Sequence, residues 1–137
     1  MRLDVALDEL LPRPVDIVWS ALTDAAAISD WLMATTDFQP RVGARFRMKR
    51  QTDGAGWVDA EVLELDPPRR MVWAWSMDEA TPPTTVTFEL SPEAGGTRLR
   101  LTHVGEIDDT NGNLFQSGWP GRLDELARVA QRRSEHD

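Results

Sequence analysis

Apolar and polar residues alternate with a period of two along most of the chain, and residues that force turns separate the alternating runs. The runs are Ala44–Arg50, Trp57–Leu65, Met71–Met77, Thr85–Ser91 and Thr97–Val104. The punctuation between them is Asp53-Gly54-Ala55-Gly56, Asp66-Pro67-Pro68, Pro82-Pro83 and Pro92-Glu93-Ala94-Gly95-Gly96. Glycine supplies positive φ and proline pre-sets a turn, so this punctuation predicts antiparallel hairpins. Leu3, Val5 and Leu7 alternate with Asp4 and Asp8, which predicts a first strand over about residues 2–10. The alternation assigns Phe46, Met48, Val58, Ala60 and Val62 to one inner face. In the later runs it places Trp73, Trp75, Val86, Phe88, Leu99, Leu101 and His103 on that face as well. Arg45, Arg47, Lys49, Asp59 and Glu61 fall on the solvated face, as in a sheet with one wet side.

Elsewhere the period becomes helical. Pro12 and Pro14 end the first strand, and Pro14 suits an opening helical turn, where its missing N–H costs nothing. Val15, Val18, Trp19 and Leu22 predict an amphipathic helix over about residues 15–22. Asp24 predicts the N-cap of a second short helix ending near Trp31. Trp119, Leu123, Leu126, Val129 and Ala130 form one stripe of a long last helix, with Asp124–Arg128 and Glu125–Arg128 as surface pairs. Pro120 leaves its start open: the helix begins there, or an earlier piece over Asn113–Ser117 runs into a kink. Residues 105–112 read as a loop and 132–137 as a frayed end. Neither a repeat nor a linker interrupts the pattern, so one domain is expected over residues 1–137.

Composition narrows the partners. With 23 acidic against 15 basic residues the net charge is −8, which disfavours nucleic acid and anionic membrane surfaces. No run approaches the ~20 apolar residues of a membrane span, and the first residues show no signal-peptide pattern. A soluble cytoplasmic protein is expected. The chain has no cysteine, so disulfides, thiolate metal sites and cysteine nucleophiles are excluded. Six tryptophans and no tyrosine imply that most indoles are buried, because each carries a large apolar area.

The order of elements, and the segments that fill it, resemble the START-like helix-grip superfamily. Within it they resemble the domain named after the activator of heat shock protein 90 ATPase. The matching segments begin with Pro14–Asp24, Trp31 and Val42–Phe46, and continue with Glu61–Arg70 and Met71–Trp75. Thr85–Leu90, Gly96–His103 and Gly118-Trp119 complete the ordered set, which spans nearly the whole chain. The resemblance implies an α+β helix-grip fold: a curved antiparallel sheet of about six strands around the long C-terminal helix, with two short helices after the first strand. In this superfamily the space between sheet and helix often holds an apolar ligand, and some relatives are cyclases or hydrolases.

On that fold the candidate ligand-binding residues are Trp31, Phe46, Met48, Trp73, Trp75, Phe88, His103 and Trp119. Trp73 and Trp75 line a pocket with Phe46, Met48 and Phe88, or they fill the core outright. Trp31 and Trp119 sit at the ends of the grip. His103 could contact a ligand or act as a base. The preferred reading is a satisfied strand-end histidine, since a lone histidine seldom catalyses without an orienting partner. Gly118 reads as a close-approach position between helix and sheet. No catalytic residue, metal ligand or cofactor is assigned: His136 lies in the tail, and no serine sits in a nucleophile elbow. Three functions follow. The first is binding of a small apolar or amphipathic molecule. The others are a co-chaperone-like interaction module and a cyclase or hydrolase on a polyketide-like substrate. A homodimer through an edge strand is an open expectation.

Overall fold

The computed structural model describes residues 1–50, 56–79 and 81–133. The expected turn residues Asp53-Gly54-Ala55 and the tail His136 lie outside them. Strands β1 (Arg2–Leu11), β2 (Ala34–Thr36), β3 (Arg45–Lys49) and β4 (Trp57–Asp66) are joined by β5 (Arg70–Ser76), β6 (Thr84–Glu93) and β7 (Gly96–Glu106). Helices α1 (Val15–Leu22) and α2 (Ala25–Trp31) follow β1, and α3 (Asp109–Arg132) follows β7. The strands form one antiparallel sheet in the order β1-β7-β6-β5-β4-β3-β2. This is the expected helix grip with seven strands rather than six. The extra one, β2, pairs Ala34–Thr36 with Arg47–Lys49 at the sheet edge. Three residues are too few to display a period.

The inner face follows the alternation. Phe46, Met48, Val58, Val62, Trp73, Val86, Phe88, Leu99 and Leu101 are all buried. A register shift between Val62 and Glu64 on β4 interrupts the pattern there and leaves Leu63 exposed. The outer face is a lattice of ion pairs. Arg98 reaches Asp8 at 3.0 Å and Glu93 at 2.9 Å, and Arg70 reaches Glu89 at 3.0 Å and Glu64 at 3.4 Å. Asp59 and Glu61 are held by Arg47 and Arg45 at 2.9 and 3.3 Å, on the solvated face where the pattern put them. Such exposed pairs contribute about 0–1 kcal/mol each. The β6–β7 turn depends on Gly96. Its φ is +152°, and a Cβ there would stand 2.0 Å from the Leu11 carbonyl oxygen, so the turn can lie directly against the end of β1.

Helix α3 departs from the sequence expectation at both ends. Residues 105–112 are not a loop: β7 runs to Glu106 and the helix begins at Asp109. The Asp108 carboxylate caps it, accepting the Asn111 backbone N–H at 2.9 Å and the Asn111 side-chain amide at 2.9 Å. Pro120 therefore sits inside one 24-residue helix. Its missing N–H removes one rung and leaves the exposed Gln116 carbonyl to water. Trp119, Leu123, Leu126, Val129 and Ala130 bury the helix in the sheet's concave face. At the far end Arg133 is anchored, not frayed. It donates to Ser20 Oγ at 2.9 Å and to Asp24 at 3.3 Å, while Arg13 donates to the Ala130 and Arg133 carbonyls. Asp24 holds the N-cap position of α2 but makes no capping bond; it serves Arg133 instead.

Candidate functional site

The buried aromatic residues divide into two groups. The first fills the middle of the grip. Trp73 meets Phe46 and Phe88 with ring centroids at 5.0 and 4.8 Å and Phe38 at 6.2 Å, all edge-on. Trp31 packs edge-on against Phe88 at 6.2 Å and donates its indole N–H to the Ala21 carbonyl at 2.9 Å. Met48 is fully buried. Edge-to-face packing at these spacings is the favoured arrangement of aromatic quadrupoles, and it closes the space.

The second group lies where the first half of α3 crosses β5 and β7. Trp75 meets His103, Phe115 and Trp119 at 5.1, 5.5 and 5.9 Å, and His103 stacks on Phe115 at 5.3 Å. His103 is fully buried and both of its nitrogens are engaged. The Trp119 indole N–H donates to Nδ1 at 3.0 Å, so Nδ1 carries no proton. The ring proton is therefore on Nε2, which donates to Thr84 Oγ1 at 2.7 Å; Thr84 in turn donates to the Trp75 carbonyl at 3.3 Å. A second proton on the ring would set two donors against each other at Trp119. Burial pushes the His103 pKa down to about 3, in agreement with that geometry.

Beside this group is an open pocket of about 270 Å³. Trp75, Phe115 and Trp119 form its aromatic wall, with Leu32, Met33 and Leu114 extending the apolar lining. Ser117 and Gly118 contribute from α3, and two cationic side chains, Arg50 and Arg122, complete it. Gly118 is not a close-approach residue. A Cβ placed there would meet nothing within 4 Å, so the glycine leaves room in the pocket and makes no tight contact with the sheet.

The sequence pattern of the activator of Hsp90 ATPase homolog 1-like protein family matches residues 12–131. The chain belongs to this family. Among curated proteins none matches the chain. Of solved structures, protein MLL2253 of Mesorhizobium loti is 31% identical with a TM-score of 0.82, covering 96% of this chain and 98% of that one. CalU16 of Micromonospora echinospora is 29% identical with a TM-score of 0.75, over 94% of this chain and 76% of its own. DynU16, a protein in the dynemicin biosynthetic locus, is 26% identical with a TM-score of 0.78, over 95% of this chain. The chain spans about half of DynU16, 48% of its length.

In this family member, Trp75 and Trp119 are the two pattern-derived candidates that line the pocket, and His103 stands directly behind them. Trp31, Phe46, Met48, Trp73 and Phe88 are brought together elsewhere, in the filled part of the grip. Leu32, Met33, Arg50, Leu114, Phe115, Ser117 and Arg122 line the pocket without having been singled out. A signal for some of them was present. Phe115, Gly118 and Arg122 share one face of a helix once α3 starts at Asp109, and Arg50 follows Phe46 and Met48 at an inward step of β3's alternation. Among the described residues no helix is long and apolar enough to cross a membrane.

Proposed function

We propose that this family member binds a small apolar or amphipathic molecule in the pocket between the first half of α3 and the neighbouring end of the sheet. The carrying observation is the concave aromatic wall of Trp75, Phe115 and Trp119, held in place before any ligand arrives by the Trp119–His103–Thr84 hydrogen-bond chain. Largely preformed, mostly apolar sites with a few polar groups are the usual form of small-molecule sites. At about 270 Å³ the space lies just below the ~300–1,000 Å³ of drug-sized sites, which favours a compact occupant. A relative encoded in a biosynthetic locus supports a small molecule rather than a macromolecule. The enzymatic alternative needs an acid–base group open to the occupant. His103, enclosed and engaged at both nitrogens, is better suited to positioning Trp119. The co-chaperone-like alternative has the family's name in its favour and no residue of the pocket.

Native mass spectrometry of freshly purified protein tests the proposal, with Gly118→Leu as the control. The wild type is expected to carry or take up a small molecule. Gly118→Leu fills the space that the glycine leaves open and is expected to abolish uptake. Its stability is expected to hold or rise by up to about 1 kcal/mol, since glycine is unfavourable in a helix interior. Uptake by Gly118→Leu equal to that of the wild type would place the occupant elsewhere and sink this assignment.

A further inference from the structure

The pocket's charge is opposite to that of the molecule. The chain carries an excess of acidic residues and a net charge of −8, yet among the described residues the lining contains two arginines and no carboxylate. The arginines of the outer sheet face are spent differently: Arg45, Arg47, Arg70, Arg98 and Arg100 each lie within 3.5 Å of an aspartate or glutamate. Arg50 does not. Among the described residues its guanidinium donates to a neutral acceptor, Asn111 Oδ1, at 2.6 Å. The other side of that amide donates to Asp108 at 2.9 Å, so the amide stands between the cation and the Asp108 carboxylate. Asp108 is itself committed to capping α3. The Asn111 amide thus orients Arg50 through a neutral contact, and the Asp108 charge acts on it only at a distance. Arg50 is half-buried and stands just past the end of β3, beside the apolar lining of the pocket, where a charge is costly unless it meets an opposite one.

We infer that the pocket's occupant is a compact, preferably aromatic molecule bearing a single carboxylate. Its ring lies against Trp75, Phe115 and Trp119, and its charge is received by Arg50 and Arg122. This rests on the proposal that the pocket binds a small molecule. The planar guanidinium matches a carboxylate in a two-bond fork, and such charge-assisted bonds are about twice as strong as neutral ones. The surrounding excess of negative charge favours a monoanion over a more highly charged group.

The test is a titration of ¹⁵N-labelled protein with 2-naphthoate and with its neutral methyl ester, followed at the Trp75 and Trp119 indole N–H signals. The acid is expected to bind at least about tenfold more tightly than the ester, the worth of one hydrogen bond to a charged group. In the double variant Arg50→Gln, Arg122→Gln the acid-to-ester affinity ratio is expected to fall to about one. Equal binding of acid and ester by the wild type would overturn the carboxylate inference while leaving a binding pocket. The same holds for an acid preference that survives in the double variant. If neither probe moves the two indole signals, the pocket proposal itself falls. The wild-type acid-to-ester ratio decides the inference even if the double variant does not fold.

Discussion

Trp73→Ala destabilises the protein by about 3–5 kcal/mol, the range for deleting a large buried aromatic side chain. Trp73 is fully buried on β5; Phe88 approaches it from the neighbouring β6 and Phe46 from β3, across β4. Removing the indole takes away the ring that both phenylalanines contact edge-on, and strands tied into a sheet cannot shift far enough to fill the hole. Trp73→Phe should cost much less, for a reason particular to this site. The Trp73 indole N–H is buried and meets no acceptor among the described residues, so phenylalanine gives up apolar volume but no hydrogen bond. Chemical denaturation of both variants checks the prediction. A loss below about 1.5 kcal/mol in Trp73→Ala would mean that the grip is loosely packed at its centre.

Acidification from pH 6.5 to 5 lowers stability through His103 by roughly 1.5 kcal/mol. The sign follows from the two pKa values. In the unfolded chain the ring titrates near 6.5, whereas in the folded protein burial holds it at about 3. Between those values the unfolded chain binds a proton that the folded chain refuses, so stability is fully present above about pH 6.5 and declines as the pH falls toward 3. The slope approaches about 1.4 kcal/mol per pH unit. The interval from 6.5 to 5 keeps the measurement above the carboxylate titrations. His103→Gln removes the titrating ring and should flatten stability over that interval. A variant that keeps the wild-type slope would show that another group is responsible. At neutral pH, His103→Ala should cost several kcal/mol, because it leaves the Trp119 N–H unpaired in the interior, removes the donor to Thr84 Oγ1 and opens a cavity among the rings.

The sheet was legible because its residues obey one rule for long stretches. Every second residue of β3, β6 and β7 points inward, and the turns that separate the strands carry glycine or proline. The short β2 was not, since Ala34-Thr35-Thr36 shows no period and owes its pairing to β3. The start of α3 was hidden for a different reason. Pro120, Gly112, Gly118 and Gly121 depress helix propensity over its first half, and the Asp108 cap together with packing on the sheet outweighs them. That misplacement also hid the pocket. With residues 105–112 read as loop, Phe115, Gly118 and Arg122 do not fall on one helical face. Arg50 was hidden by its chemistry: it occupies an inward step of the alternation, but a terminal arginine is ordinarily assigned to solvent. His103 was expected to be satisfied by backbone or water; its partners are instead the side chains of Thr84 and Trp119, which no local pattern could pair with it.

The two ends of α3 are fastened unequally, and this has a consequence for motion. From Leu123 onward the helix is clamped to the sheet by its apolar stripe, to the β1–α1 connection by Arg13, and to α1 and the start of α2 by Arg133. Ahead of that lie a missing rung at Pro120 and glycines at 118 and 121. Local opening should therefore cost less in the first half than in the second. Amide hydrogens of Asn113–Gly118 are expected to exchange with solvent sooner than those of Leu123–Val129, so the wall of the pocket would breathe while the rest of the grip stays shut. A guest could then enter by a brief loosening of one helical segment, with no rearrangement of the sheet.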